Sequence, residues 1–378
     1  MKLPGKALVL VTAIALFATA SPAAEIRIGV AEALTGPVAK YGVPIRNGFA
    51  LAAEEINAKG GIKGNKIELI IEDEQGKKEE AINVFKKFIF KDRTLAIFGP
   101  TLSNSAFAAD PIANAQKTIV FGTSNTAEGI TAIGPYVFRN SIAEADILPK
   151  VVGVAKKKLG LKKVAILYGN DDSFTKSGYD VFKRVVEQEK LQVLTTETFA
   201  KGDIDFSAQL TKIKNLNPDA IICSALVEEA ANIILQARKL GMPERIRFIG
   251  GNGFNSAKLM EIAGKAAEGS ISGSPWFLDD PSAKNQEFVR TYTAKFSIPP
   301  DQFAAQAYDA LYIMAEGIKA AKLSGNLEKD RTALRNALAK VKNFKGVGGL
   351  FSFNENRDAA QKGRVLIIKK GKFSLYAE

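Results

Sequence analysis

The sequence predicts an α/β protein made of two open units, each a doubly wound and mainly parallel sheet with helices on both faces. Two observations lead to this prediction. Strands and amphipathic helices alternate regularly from residue 26 to residue 121, and the same alternation starts again near residue 145. Alternation of this kind is typical of parallel strands joined by right-handed crossovers. Because ligands of such sheets bind at the carboxyl ends of the strands, two units that face each other would define a cleft.

Apolar or alternating runs predict the strands, and apolar residues at helical spacing predict the helices. In the first unit the predicted strands are 26–30, 66–72, 95–98 and 118–121, with helices at 42–57, 79–90 and 103–115. In the second unit strands 164–168, 192–199, 220–223 and 246–249 alternate with helices 145–158, 174–189, 206–215 and 228–240, before a short helix from Ser256. A linker is predicted at 272–281, then helices 285–296, 302–321 and 329–341 and strands 350–353, 365–370 and 373–376.

The first 23 residues have the pattern of a secretory signal peptide: two lysines, an apolar run at 7–20 and the small-residue cleavage site Ser21-Pro22-Ala23. We therefore expect a mature chain that begins at Ala24 in the periplasm. No later stretch approaches about 20 uncharged apolar residues, so no membrane span is expected in the mature chain. Cys223 is the only cysteine, which leaves none for an intrachain disulfide or for a lipid anchor at the cleavage site.

Residue types and motifs that do not occur in the sequence exclude several classes of function. The chain has no histidine, which removes the usual general base and most zinc sites, so we do not expect an enzyme. No phosphate loop or dinucleotide-binding pattern occurs, and we expect no cofactor. The net charge of +12 comes from scattered lysines rather than from a basic arm, so nucleic acid is not an expected partner. The acidic groups at 72–74, 171–172 and 279–280 lack calcium-loop spacing and predict solvated turns, with no metal site.

The stretch 99–105, Gly-Pro-Thr-Leu-Ser-Asn-Ser, joins a predicted strand to a predicted helix through small and hydroxyl-bearing residues. The N-terminus of that helix would present unpaired backbone N–H groups and the positive end of the helix dipole. A carboxylate fits such a site without a lysine or an arginine. The alternative is that Ser103 merely caps the helix.

The sequence resembles the branched-chain amino acid binding proteins of ABC importers, which are type I periplasmic solute-binding proteins. The matching segments follow one another in order through nearly the whole mature chain. They are 28–30, 34–42, 55–62 (Glu-Ile-Asn-Ala-Lys-Gly-Gly-Ile), 99–103, 136–139, 202–207, 236–241 and 307–310. The resemblance implies two lobes joined by three crossovers, with the ligand clamped between them. It implies residues 24–143 plus 274–345 in the first lobe and 144–273 plus 346–378 in the second.

The resemblance also implies the ligand-binding residues. Ser103, with Asn104 beside it, Ser124 and Thr126 match positions that hold a carboxylate and an amine in the first lobe. The aromatic positions of the family's ligand pocket match Tyr41, Phe174 and Phe303. Trp276, near a crossover, is expected either to stack on an aromatic ligand or to pack at the hinge.

Two positions depart from the family pattern. Where amino-acid binders carry a tyrosine and an acidic residue in the second lobe, this chain has Leu226 and Asn252. A neutral amide cannot form an ion pair with a ligand ammonium, so the ligand is expected to be a hydrophobic amino acid only if Glu228 or another acid supplies that pair. Otherwise an aromatic or branched aliphatic acid is expected.

These observations predict a periplasmic solute-binding protein that closes its lobes on a small carboxylate-bearing ligand and delivers it to an ABC permease in the inner membrane. We expect a monomer. The alternative is a periplasmic sensor that uses the same closure to signal to a receptor or regulator.

Overall fold

The computed structural model describes residues 25–377, and the predicted signal peptide lies outside them. A five-stranded sheet in the order β2-β1-β3-β4-β5 forms the first lobe, and every strand pair in it is parallel. Its strands are β1 (Glu25–Glu32), β2 (Lys66–Asp73), β3 (Ala96–Phe98), β4 (Ile119–Gly122) and β5 (Val137–Arg139). The helices between them are α1 (Ala39–Ala58), α2 (Lys78–Lys86) with a π-helical turn (Lys87–Lys91), α3 (Ser103–Ala115) and a short 3₁₀ turn (Thr131–Ile133).

The second lobe has a seven-stranded sheet in the order β15-β14-β10-β9-β8-β6-β7. Its pairs are parallel except those that β14 makes with β10 and β15. The strands are β6 (Lys163–Gly169), β7 (Gln192–Phe199), β8 (Ala220–Ser224), β9 (Arg247–Gly250), β10 (Ile271–Ser274), β14 (Arg364–Lys369) and β15 (Lys372–Ala377). The helices are α4 (Glu144–Leu159), α5 (Ser173–Gln188), α6 (Ser207–Leu216), α7 (Val227–Lys239) and α8 (Ala257–Ala263), with 3₁₀ turns at Asn252–Phe254 and Gly264–Ala267.

After β10 the chain returns to the first lobe, where α10 packs along α1. This segment contains α9 (Ala283–Phe296), α10 (Gln302–Ala320), α11 (Leu327–Leu338) and a small antiparallel sheet of β11 (Phe344–Gly346), β12 (Gly349–Phe353) and β13 (Ala359–Gln361). Phe353 packs against Phe121 and Phe138, which places the small sheet beside the first lobe. The residues at which each lobe begins and ends stay a prediction. This includes the predicted return of the chain to the second lobe at residue 346.

The fold matches the predicted architecture, because two lobes, each built on a mainly parallel sheet, enclose a cleft. The chain passes between the lobes three times, after β5, after β10 and before β14. The carboxyl ends of β3 and β4 in one lobe, and of β8 and β9 in the other, border the same cavity. None of the helices between residues 25 and 377 combines the length and the apolar character needed to cross a lipid bilayer.

The predicted linker at 272–281 is wrong at its start, because residues 272–274 belong to β10. This strand pairs with β9 on one side and with β14 on the other. A Cβ on Gly273 would lie 2.3 Å from Ile147 and 2.9 Å from Val151. The small residues therefore let α4 pack closely on the sheet, and they do not mark a flexible connection.

The solvated turns predicted for the acidic groups are wrong at two positions. Glu74 is fully buried and accepts a hydrogen bond from Ser105 Oγ at 3.1 Å. Burial raises the pKa of the Glu74 carboxyl to about 7, and its hydrogen bonds offset only part of this effect. Asp172 is also buried and caps α5, because its Oδ1 accepts from the backbone N–H groups of Phe174 and Thr175.

Candidate ligand-binding site

A small cavity lies between the two lobes, at the carboxyl ends of their parallel strands. Aromatic and aliphatic side chains from both lobes form its walls, and hydroxyl, amide and backbone groups supply its polar surface. None of the lining side chains is acidic or basic. The lining residues are Tyr41, Thr101, Leu102, Ser103, Ser124, Asn125, Phe174, Leu226, Asn252, Gly253 and Phe303.

The N-terminus of α3 borders this cavity through Leu102 and Ser103. Gly99 allows the chain to turn from β3 toward the helix: its φ is +105°, and a Cβ there would lie 2.0 Å from the carbonyl oxygen of Ala31. The interpretation of Ser103 as the helix cap is wrong, because Leu102 occupies the N-cap position and makes no side-chain capping bond. Ser103 Oγ instead accepts a hydrogen bond from Ala127 N at 3.3 Å.

Asn252 connects groups on both sides of the cleft. Its Nδ2 donates to the carbonyl oxygen of Ser124 at 3.1 Å, and its Oδ1 accepts from Gln302 Nε2. Its backbone N donates to Glu144 Oε1 at 2.9 Å. The amide of Asn252 therefore supplies a donor to the Ser124 carbonyl, next to the cavity that both residues line.

Glu144 lies behind Asn252 and does not line the cavity. It is buried, and it accepts a second hydrogen bond from Thr126 Oγ1 at 3.5 Å, while its Oε2 has no partner. Burial raises the pKa of this carboxyl to about 7, and the hydrogen bonds lower it only in part. A Cβ on Gly251 would lie 2.5 Å from Glu144 Oε2, so a residue without a side chain is needed there.

Polar contacts join the two lobes around the cavity. The backbone N of Val227 donates to Tyr41 Oη at 2.7 Å, and Tyr41 Oη donates to the carbonyl oxygen of Gly253 at 3.4 Å. Lys40 forms an ion pair with Glu228 across the cleft. The lobes are therefore in contact on the side where α1 faces the loops after β8 and β9.

Asn104 makes a second polar connection between the lobes. Its Nδ2 donates to Asp172 Oδ2 at 2.6 Å, and its Oδ1 accepts from Ser173 N at 2.8 Å. Both partners belong to the start of α5 in the second lobe. The first turn of α3 is thereby held against the first turn of α5.

A family model described as "Periplasmic binding protein" matches residues 25–372, nearly the whole of the described chain. The chain belongs to the periplasmic binding protein family. The "Leucine-, isoleucine-, valine-, threonine-, and alanine-binding protein" of Pseudomonas aeruginosa is 30% identical over 349 residues, which are 92% of this chain and 90% of that relative. The Leu/Ile/Val-binding protein of Escherichia coli K12 is 28% identical over 322 residues, or 84% of this chain and 86% of that one.

Two solved structures of periplasmic binding proteins share the architecture. One is the branched-chain amino acid transporter substrate-binding protein LivJ from Streptococcus pneumoniae, solved in complex with isoleucine. Its TM-score is 0.85 and its sequence identity 31%, and the match covers 92% of this chain and 97% of that one. The other is an ABC transporter solute-binding protein from R. palustris in complex with benzoate, with a TM-score of 0.83, 26% identity and coverage of 93% and 96%. The similar proteins thus include binders of an amino acid and of a simple aromatic acid.

The structure brings most of the predicted site residues of this periplasmic binding protein to one cavity. Seven of the ten line it: Tyr41, Ser103, Ser124, Phe174, Leu226, Asn252 and Phe303. Asn104 instead joins the lobes, and Thr126 donates to Glu144. Trp276 lies away from the cavity, where its Nε1 donates to Asn285 Oδ1 at 2.6 Å and its ring packs edge-on against Phe288. In this structure Trp276 packs at the crossover, and its stacking on an aromatic ligand stays a prediction.

The sequence prediction missed four lining residues and one supporting acid. Thr101 and Leu102 immediately precede Ser103, and Asn125 and Gly253 each follow a predicted residue, so their neighbours in the chain were a usable signal. Glu144 gave no such signal. It begins a helix in the second lobe, and only folding brings it to Asn252, which is 108 residues away in the chain.

Proposed function

We propose that this periplasmic binding protein captures a small hydrophobic ligand with a carboxylate between its lobes and delivers it to an ABC permease in the inner membrane. One observation carries the proposal: an uncharged, largely apolar cavity between the lobes is bordered by the N-terminus of α3. Backbone N–H groups and the helix dipole at such a terminus favour a negative charge. The apolar walls from Tyr41, Phe174, Leu226 and Phe303 would hold the rest of the ligand.

The cavity supports an acid without an α-amine more than an amino acid. An ammonium removed from water needs acceptors and, in general, a negative partner. The Ser124 carbonyl already accepts from Asn252 Nδ2. Glu228, the acid that could have replaced the missing one, is paired with Lys40. The pKa of Glu144, raised to about 7 by burial, leaves this carboxyl partly protonated at neutral pH.

The proposal is tested by native mass spectrometry of the purified protein, which should reveal a co-purified small acid. Isothermal titration of ligand-free protein with benzoate and with leucine then compares the two ligand classes. We expect benzoate or a related acid to bind and leucine to bind more weakly. Tight binding of leucine with no response to simple acids would contradict the preference, and the absence of binding by either class would contradict the proposed function.

The Ser103→Ala variant tests how the carboxylate is held. We expect the affinity for the acid to fall by only about 1 kcal/mol, because the backbone N–H groups at the start of α3 share the contact with the hydroxyl. Titration calorimetry of the variant and the wild-type protein measures the difference. A thousandfold loss would show instead that the Ser103 hydroxyl is the main contact.

The Glu144→Gln variant tests the buried acid behind the site. The pKa of Glu144 is raised from 4.5 to about 7 by burial, so its contribution to stability is fully present below pH 4.5 and is lost as the pH rises through 7. In the variant this loss should be absent. We expect the unfolding free energy, measured with urea at pH 5 and at pH 8, to fall less in the variant than in the wild type. The two falls should differ by at most roughly 3 kcal/mol, at about 1.36 kcal/mol per pKa unit.

Other buried acids, such as Glu74, titrate in the same range and contribute equally to the wild type and the variant. The exposed Glu355 gives a matched control, since Glu355→Gln removes the same charge at the surface. The control should keep the wild-type pH dependence. Equal pH dependence in Glu144→Gln and in the wild type would show that Glu144 is charged in the folded protein throughout this range.

A further inference from the structure

A second and much larger cavity, of about 700 Å³, lies next to the ligand cavity. Its walls are mainly apolar and come from both lobes, from α1 and the segment before α10 on one side and from α8, the crossover after β10 and the edge of β15 on the other. Its apolar lining residues include Val43, Pro44, Met260, Trp276, Phe277 and Phe373. The proposed function does not use this space.

Three elements contribute neighbouring residues to both cavities. On α1, Tyr41 lines the small cavity and Val43 the large one. At the start of α10, Phe303 lines the small cavity and Gln302 the large one. After β9, Gly253 lines the small cavity and Asn255 the large one. The two cavities therefore lie side by side along these three segments.

Gln302 Nε2 donates a hydrogen bond to Asn252 Oδ1, which joins a residue that lines the large cavity to one that lines the small cavity. Gln302 Oε1 accepts in turn from Ser274 Oγ at 3.0 Å. These contacts involve flexible amide side chains and no main-chain bond. Rotation of the Gln302 side chain would therefore connect the cavities without disturbing a strand or a helix.

Five of the six charged residues that line the large cavity form ion pairs. Lys40 pairs with Glu228, Lys258 with Glu261 and Lys372 with Asp279. Asp301 caps α10 by accepting from Ala304 N at 3.0 Å. With most of its charged residues paired and apolar side chains on its walls, the cavity suits an uncharged hydrocarbon or aromatic chain better than a second charged group.

We propose that the ligand is an elongated acid, whose carboxylate lies at the N-terminus of α3 and whose apolar chain passes the Asn252–Gln302 contact into the large cavity. This inference rests on the proposed function and extends it, since it adds a second subsite for the end of the ligand that carries no charge. The small cavity alone would hold only a short acid. The two cavities together would hold a medium-length alkanoate or an arylalkanoate.

Titration calorimetry with butanoate, hexanoate, octanoate and decanoate tests the proposal on the ligand-free protein. We expect the affinity to rise along the whole series, by about fifteenfold for each two methylenes that become fully buried. An affinity that peaks at a short acid and falls for octanoate and decanoate would overturn the second subsite while leaving the proposed function intact. If none of these acids, benzoate or leucine binds, both proposals fail.

Filling the large cavity provides the second measurement. Met260→Trp, on α8, and Val43→Phe, on α1, reduce its volume from opposite lobes. Each should weaken decanoate binding at least tenfold, and retained binding of butanoate shows that the variant is folded. Ile204→Trp is the control, because Ile204 is 80% exposed and lines neither cavity. Wild-type decanoate affinity in both filled variants would overturn the proposal.

Discussion

Replacing Asn252 with aspartate is expected to shift the ligand preference toward amino acids, with the ratio of leucine to benzoate affinity rising roughly 10- to 150-fold. The amide nitrogen now lies 3.1 Å from the Ser124 carbonyl oxygen. In the variant that donor is absent, so both the new carboxylate and the Ser124 carbonyl can accept from a ligand ammonium. A charge-assisted hydrogen bond contributes roughly 1.5 to 3 kcal/mol, and the same negative charge would repel benzoate.

Titration of the wild type and Asn252→Asp with both ligands measures this ratio. The control is Asn356→Asp, which adds the same charge at an exposed position in the turn before β13. It should leave the ratio unchanged. If the two variants gave the same ratio as the wild type, Asn252 would not face the ligand, and the choice between acids and amino acids would have to lie in other lining residues.

Gly99→Ala is expected to destabilise the protein by about 4 kcal/mol or more, which for many proteins prevents accumulation of folded material. Two effects add at this position. Its φ of +105° is unfavourable for any residue with a side chain, and the new Cβ would lie 2.0 Å from the carbonyl oxygen of Ala31 in the neighbouring strand. Because the backbone of β1 cannot move without disturbing the sheet, the overlap would displace the start of α3.

Gly129→Ala is the matched control, since Gly129 has a φ of +86° and a Cβ added there would meet no atom within 4 Å. Its cost should be limited to about 1 kcal/mol of backbone strain. The difference between the two variants in urea unfolding therefore measures the steric overlap alone. Equal stabilities would mean that β1 and the segment after β3 can separate at little cost.

The periodic parts of the fold were predictable from the sequence. Helix α3 and strand β7 have the predicted bounds, 103–115 and 192–199, and the buried residues Ala106, Ala109 and Ala113 of α3 recur at helical spacing. The strands β5, β11 and β13 were missed. Each has only three residues, which is too short for an alternating pattern to be recognised.

The candidate site was predictable where family segments run through it, as at Ser103 and Ser124. The burial of Glu74 and Asp172 was not predictable, because it depends on partners far away in the chain: Ser105 for the first and Asn104 for the second. An acidic side chain next to a strand end looks the same in the sequence whether water or a neighbouring lobe surrounds it. The large cavity likewise left no pattern, since its residues come from segments scattered over both lobes.

The contacts from Tyr41 to Val227 and from Asn104 to Asp172 have a kinetic consequence. We expect a ligand to enter and leave the cavity while these bonds are broken, so that each binding event includes an opening step. The observed association rate should rise linearly at low ligand concentration and then level off at the opening rate. Variants that remove the bond from Asn104 to Asp172 would raise that plateau and speed ligand release, so that the time for which a ligand stays bound depends on residues that do not line the cavity.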